Sequence, residues 1–347
     1  MAYLIGLLLG NAGLLPEGSE KVQELLTTIT IPLAIPMLLF STNIRQWLKL
    51  ARVAAVSLAI GVVSVIIVVT IGFFLFRGKG MPDIWKVSGM LVGVYTGGTP
   101  NLAALKMMLD VDANTYILTH TYDMAVSIVY LAFLMTIGQR FFHLFLKRFP
   151  GGKQTENKEF DGANPYQGIL KKEQFYPILK TFGLAIIIFG IGGGLSLLFN
   201  KSLQMVVVIL AITSLGIAAS LIPSINRIEK SFDAGMYLIL VFSIVVASMA
   251  DVSNLKEFTL GLFGYITFTV FGALAIHSLL AKAFNVDADT MMITSTALIC
   301  SPPFVPVVAG AMGNRAVIIS GLTVGIIGYA VGNYLGLALS EMLRVMP

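Results

Sequence analysis

GVYTGGTPNLAALKMML, residues Gly93 to Leu109, is apolar enough to sit in a membrane and yet is broken at its centre by Gly97-Gly98-Thr99-Pro100-Asn101. Glycine and proline at that density end a helix, and backbone that leaves the helix inside hydrocarbon exposes amide groups at a cost of several kcal/mol each. Such a break is tolerated only where it is buried in protein or lines a wet cavity. A second break, Ser301-Pro302-Pro303 with Pro306, lies in the other half of the chain. Alone, either reads as a proline kink. Two at matching positions read as paired discontinuous helices, which in secondary transporters mark the binding site.

The surrounding sequence has the composition of a membrane protein. Of 347 residues, 56% are hydrophobic and 12% charged, against about 25% charged in a soluble domain. The mean hydropathy is +0.87. A water-soluble fold could not hide that much apolar surface. About 20 apolar residues cross a bilayer, and on that ruler the first half holds segments at Ala2 to Leu15, Leu25 to Thr42, Val53 to Phe76, Val87 to Leu109 and Thr115 to Ile137. The second half holds Tyr176 to Phe199, Leu203 to Ile222, Ala234 to Ala250, Phe258 to Leu280, Thr290 to Met312 and Ala316 to Leu339. No segment alternates with period two, which argues against a β-barrel.

The net charge of +5 comes from Lys and Arg placed between apolar runs, which is how membrane proteins set orientation. No basic stripe interleaved with aromatics points to nucleic acid. One cysteine, Cys300, excludes an intrachain disulfide. His120, His143 and His277 are too far apart in sequence for metal-ligand spacing, so no cofactor or bound metal is expected beyond a sodium ion. The opening MAYLIGLLLGNAGLLP lacks the basic start and cleavage site of a signal peptide and reads as membrane helix.

The order of features repeats. A polar cluster ending in Leu-Lys, around Asn43 and again around Asp251, precedes each break by one apolar helix, and a full helix follows each break. The offset is about 203 to 208 residues throughout. We therefore divide the chain into a first repeat, 1–137, a polar cytoplasmic linker, 138–175, and a second repeat, 176–347. Five segments against six imply that the first repeat lacks one N-terminal helix. If the broken segments are re-entrant hairpins, each repeat has five spans and the halves are inverted. If they cross fully, the repeats are parallel, and the charge distribution fits both.

The stretches GVYTGGTPNLAALKMML, SPPFVPVVAGAMGNRAVIISG, IPLAIPMLLFSTNIR and VVASMADVSNL resemble the YjcL-like family of bacterial membrane proteins over essentially the whole chain. That family brings no assigned activity. In layout the chain is similar, more distantly, to the sodium/glutamate symporters, a resemblance that implies an all-α fold of two inverted five-helix repeats, each with a re-entrant hairpin. The sequence departs from those symporters at both tips: Gly97 to Asn101 replaces a Gly-Gly-His-Gly type motif, and the second tip is rich in proline.

Ionisable groups inside apolar helices are expensive and are functional candidates by default. Asp123 sits mid-helix in THTYDMAVSIVYL, with Thr119 and Ser127 four residues to either side on its helical face. An Asp with hydroxyls on one face offers oxygen ligands to sodium or a site for a proton. Asn43 and Asp251 are approximate counterparts of each other in the two repeats, each at a helix end that could approach the hairpin tip of its own repeat, and Asp251 also reads as a solvated terminal carboxylate. At the tips, half-helix N-termini suit an anion and unwound carbonyls a cation. The expected substrate ligands are Thr96, Gly97, Gly98, Thr99, Pro100, Asn101, Ser301, Pro302 and Pro303.

The reading is a multi-pass bacterial inner-membrane symporter, not an enzyme, that moves a small anionic organic solute with sodium or protons. Its partners are that small-molecule substrate and the lipid bilayer, with a homodimer left open. The alternatives are a sensor or scaffold, and an intramembrane aspartyl protease built on Tyr122-Asp123, which lacks its second Asp in a Gly-x-Gly-Asp setting. Topology gives the first prediction. A cysteine introduced at Asn157 should resist an impermeant thiol reagent in intact cells, whereas one at Ala113 should react; labelling at Asn157 reverses the orientation.

Overall fold

The computed structural model describes residues 2–12, 14–16, 18–40, 52–78, 81, 83–150, 172–228, 230–249 and 260–346. All regular structure among them is helical. The helices are α1 (Ala2–Asn11), α2 (Ser19–Phe40), α3 (Arg52–Phe76), α4 (Ile84–Gly97), α5 (Thr99–Met108), α6 (Ala113–Phe133) and α7 (Gln139–Phe142), then α8 (Lys172–Ser196), α9 (Lys201–Ser220), α10 (Pro223–Asn226) and α11 (Ser231–Ser248). The chain closes with α12 (Leu260–Ala283), α13 (Ala288–Ile299), α14 (Val305–Met312) and α15 (Ile318–Arg344). A π-helical turn, Leu134–Gly138, joins α6 to α7, and a 3-10 turn, Pro302–Phe304, leads into α14. Among the described residues seven helices are long and apolar enough to cross a membrane.

The helices gather into two compact units that do not follow the sequence halves. One comprises residues 1–44, 103–118 and 163–258, and the other 45–102, 119–162 and 259–347. The first is knit by small residues and capped carbonyls. Gly6 and Gly10 of α1 lie so close to the backbone of α11 at Ile244 and Ser248 that a Cβ on either would clash. Gly216 of α9 and Gly235 of α11 make room for Pro36 and Leu38 of α2. The last turn of α2 leaves carbonyls without intrahelical donors, and Ser231 Oγ and Asn226 Nδ2 donate to those of Met37 and Phe40 at 2.6 and 3.0 Å.

The second unit holds both break residues, Gly98 and Ser301. Here α3 packs on α12: Gly272 seats Val68, Gly72 seats the Tyr265 ring, and the Tyr265 hydroxyl donates to the Val69 carbonyl at 2.9 Å. Buried His277 of α12 meets Ser57 of α3 at 3.2 Å, so this histidine has a structural partner. Against α4 lies α15, whose glycines fall every three or four residues and so share one face. A Cβ added to Gly328 would collide with the carbonyl oxygen of Thr96, which means that the two helices touch backbone to backbone.

Gly328→Ala should therefore destabilise by about 1–3 kcal/mol through overpacking. Gly190→Ala on α8, where nothing lies within 4 Å of the added carbon, should hold or raise stability by up to about 1 kcal/mol from helix propensity. Melting temperatures of the purified variants check the contrast.

Candidate functional site

The breaks are narrower than the sequence motifs suggest. Gly97 ends α4 and Thr99 already begins α5, so Thr99, Pro100 and Asn101 are helical and the first interruption is the single residue Gly98. Proline is tolerated there because the first turn of a helix needs no N–H from it. Gly98 has φ 86° and ψ −165°; its N–H closes α4 on the Val94 carbonyl at 2.6 Å. Its own carbonyl accepts the first bonds of α5, from Asn101 and Leu102 at 3.1 and 3.3 Å.

The second break repeats the device. The Cys300 N–H closes α13 on Thr296 at 2.9 Å, and Ser301 takes φ 81° and ψ 158°. The Ser301 carbonyl then accepts from Phe304 at 3.2 Å to start the 3-10 turn. This backbone region belongs almost wholly to glycine and costs another residue about 1–3 kcal/mol. A serine held there is over-determined by its surroundings. Those surroundings include Gly98, since a Cβ on Gly98 would run into the Ser301 side chain. The structure thus brings the two break residues together.

Both breaks rest on the glycine face of α15. Val305 and Ile293 fill the notch at Gly321, Pro302 fills that at Gly325, and Thr96 with Asn101 fills those at Gly328 and Gly332. Asn101 Nδ2 donates to the Gly328 carbonyl at 3.1 Å, and Thr96 Oγ1 turns back onto the Val92 carbonyl at 2.8 Å. Asn101 and Thr96 are fully buried and spend these polar groups on the framework. Both side chains therefore have a structural role in joining the first break to α15 and to its own helix.

Asp123 lies beside this junction. Its carboxylate is 6% exposed, accepts from Ser127 Oγ at 3.4 Å and stands 4.0 Å from His120 Nδ1. The Tyr95 hydroxyl, one turn before the first break, faces it, and the Cys300 thiol at the second break adjoins both Asp123 and Ser127. Nearby, Tyr130 and Ser295 share a hydrogen bond of 2.6 Å. No lysine or arginine pairs with Asp123 among the described residues. A buried carboxylate without a fixed cation needs a bound proton or cation to offset its desolvation.

Thr119 is buried on α6 one turn before Asp123. Asn43 and Asp251 lie outside the described residues. Sequence reasoning missed Tyr95, the placement of Cys300 at the carboxylate and the α15 glycine face. The spacing of Gly321, Gly325, Gly328 and Gly332 was the available signal for the last.

Comparison with known proteins agrees with a membrane location. The model of a family described as a protein of unknown function, DUF819, matches residues 1–346. The uncharacterized membrane protein YjcL of Bacillus subtilis (strain 168) is 25% identical over 336 residues, which cover 94% of this chain and 84% of that protein. With seven long apolar helices, the chain is a multi-pass membrane protein.

The contact between breaks gives the next prediction. Gly98→Ala should lower the melting temperature, because the new carbon meets Ser301 and the backbone is strained. Ser301→Gly should melt at or above wild type by relieving about 1–3 kcal/mol of strain. In a double-mutant cycle the second change should recover part of the loss caused by the first.

Proposed function

The chain belongs to the DUF819 family, whose description names no activity, and from that premise we propose that it is a secondary transporter of a small organic anion coupled to protons or sodium. The observation that carries the reading is the meeting of two helix breaks, Gly98 and Ser301, beside the buried carboxylate of Asp123. Irregular backbone in a membrane is tolerated where it is buried in protein or lines a wet cavity, and paired broken helices mark the binding sites of secondary transporters. The N-termini of α5 and of the segment opening at Pro302 start at this junction, and their positive dipole ends suit an anion. Asp123 supplies the negative charge that a co-transported proton or sodium neutralises.

We read the broken segments as re-entrant hairpins in inverted repeats. Supporting this, Asp289 at the start of α13 accepts from Asn314 Nδ2, just after α14, at 2.8 Å, and Gln139 Nε2 reaches both Asp289 and the Met312 carbonyl at 3.1 and 3.2 Å. The chain that departs at Asp289 returns to it. Helix α4, with 14 residues, rises about 21 Å, short of a hydrocarbon core of about 30 Å. The shared backbone conformation of Gly98 and Ser301 fits a duplicated unit. The bacterial inner membrane is the matching location.

The test is flux into proteoliposomes under imposed proton or sodium gradients across a panel of organic acids. An accepted acid should enter down the gradient, and Asp123→Asn should cut gradient-driven uptake by about tenfold or more while the protein still elutes as a single species. Gradient-independent uptake unchanged by Asp123→Asn would overturn the coupling role. No flux for any acid, with folded protein, would favour a sensor or scaffold.

A further inference from the structure

The second unit contains an apolar cavity of about 340 Å³, lined by Phe133, Phe141, Phe142, Phe145, Phe271 and Leu274 with the next turn of α12. That is within the size range of small-molecule sites. Its aromatic wall is ordered: Phe133, Phe141, Phe142 and Phe145 meet edge to face with centroids 5.3 to 6.1 Å apart. The π-helical turn Leu134–Gly138 sits between the first of these rings and the others, and such turns re-aim side chains at functional sites. Leu279, Phe141 and Leu144 are exposed at its edge, so the opening faces lipid.

The cavity lies where two spans end. The apolar segment Ala113–Phe142 stops within it, and α12 stops at Ala283, one turn past Leu279. The chain turns basic at that level. Lys282 follows Ser278 and Leu279 by four and three residues and shares their helical face. Lys147 Nζ donates to Asn285 Oδ1 at 2.8 Å, and the Lys147 carbonyl accepts from Ala288 at 2.9 Å, which fixes that lysine at the end of α12. Arg140 and Arg148 flank the phenylalanines in sequence. None of these four cations pairs with a carboxylate among the described residues. The carboxylates that follow Lys282 in sequence are committed elsewhere: Asp287 caps α13 through the Thr290 N–H, and Asp289 is held by Gln139 and Asn314.

An aromatic cavity open to hydrocarbon under a rim of cations that no carboxylate pairs among the described residues, at the headgroup level, has the chemistry of one molecule. We propose that it is a binding site for an anionic phospholipid, with an acyl chain among the phenylalanines and the phosphate at Lys147, Lys282 and Arg148. Basic pockets between helix ends recognise anionic headgroups, and each nearby cation contributes about 1 kcal/mol. The site is independent of the proposed transport path and does not rest on it.

Native mass spectrometry of the purified, delipidated protein titrated with phosphatidylglycerol or phosphatidylcholine of identical chains tests the assignment. Wild type should retain one phosphatidylglycerol and favour it about tenfold or more. Ala275→Trp, placed at an exposed position on the cavity wall, should abolish retention of both lipids. The paired surface change Arg148→Gln with Lys282→Gln should lower the preference about fivefold per charge removed and leave phosphatidylcholine binding unchanged. Equal retention of the two lipids by wild type, or an unaltered preference in the paired variant, would overturn the proposal even if the tryptophan variant does not fold.

Discussion

Backbone-to-backbone contact between α4 and α15 is the constraint on which the site depends. With Gly328 against the Thr96 carbonyl, no side chain separates the helices, and only a run of glycines on α15 permits it. Among membrane helices, where apolar surface gains nothing from leaving lipid, close packing of small residues is a main source of cohesion. The same face receives Pro302 and Val305 at Gly325 and Gly321. One helix therefore sets the position of both breaks, and their contact at Gly98 and Ser301 follows from it.

Charge is the second organising fact. The unit sets the half-buried Ser127 hydroxyl, a phenol, a thiol and an imidazole around Asp123 and, among the described residues, no fixed cation against it. Groups of that kind solvate a carboxylate only partially and leave its charge without a fixed counterion. A structural ion pair would have frozen it. Asp289 differs in having two amide donors, from Gln139 and Asn314, on its carboxylate, with His143 Nε2 3.6 Å away.

Much of this was legible in sequence. Apolar length located the helices, with the ends of α3, α8, α9 and α12 lying within a few residues of their expected places. The unusual density of Gly and Pro located both breaks. The extent of the first break was not legible, because Thr99-Pro100-Asn101 is as good a first helical turn as it is a loop; only tertiary contact, such as Asn101 with Gly328, decides between them. Nor were the compact units, which take pieces from both sequence halves. Tyr95 and Cys300 carried no distinguishing pattern, since each is ordinary packing material until the fold sets it against Asp123.

The fastenings of the second broken segment constrain how it can move. Its foot is clasped through Asp289, Asn314 and Gln139, and its tip is seated by Pro302 in the notch at Gly325. A lever tied at both ends cannot swing open at its tip alone. Any displacement that carries Ser301 must carry α13, α14 and the adjoining stretch of α15 as one rigid body, so conformational change at this site would be a translation of the whole piece and not the lifting of a flap.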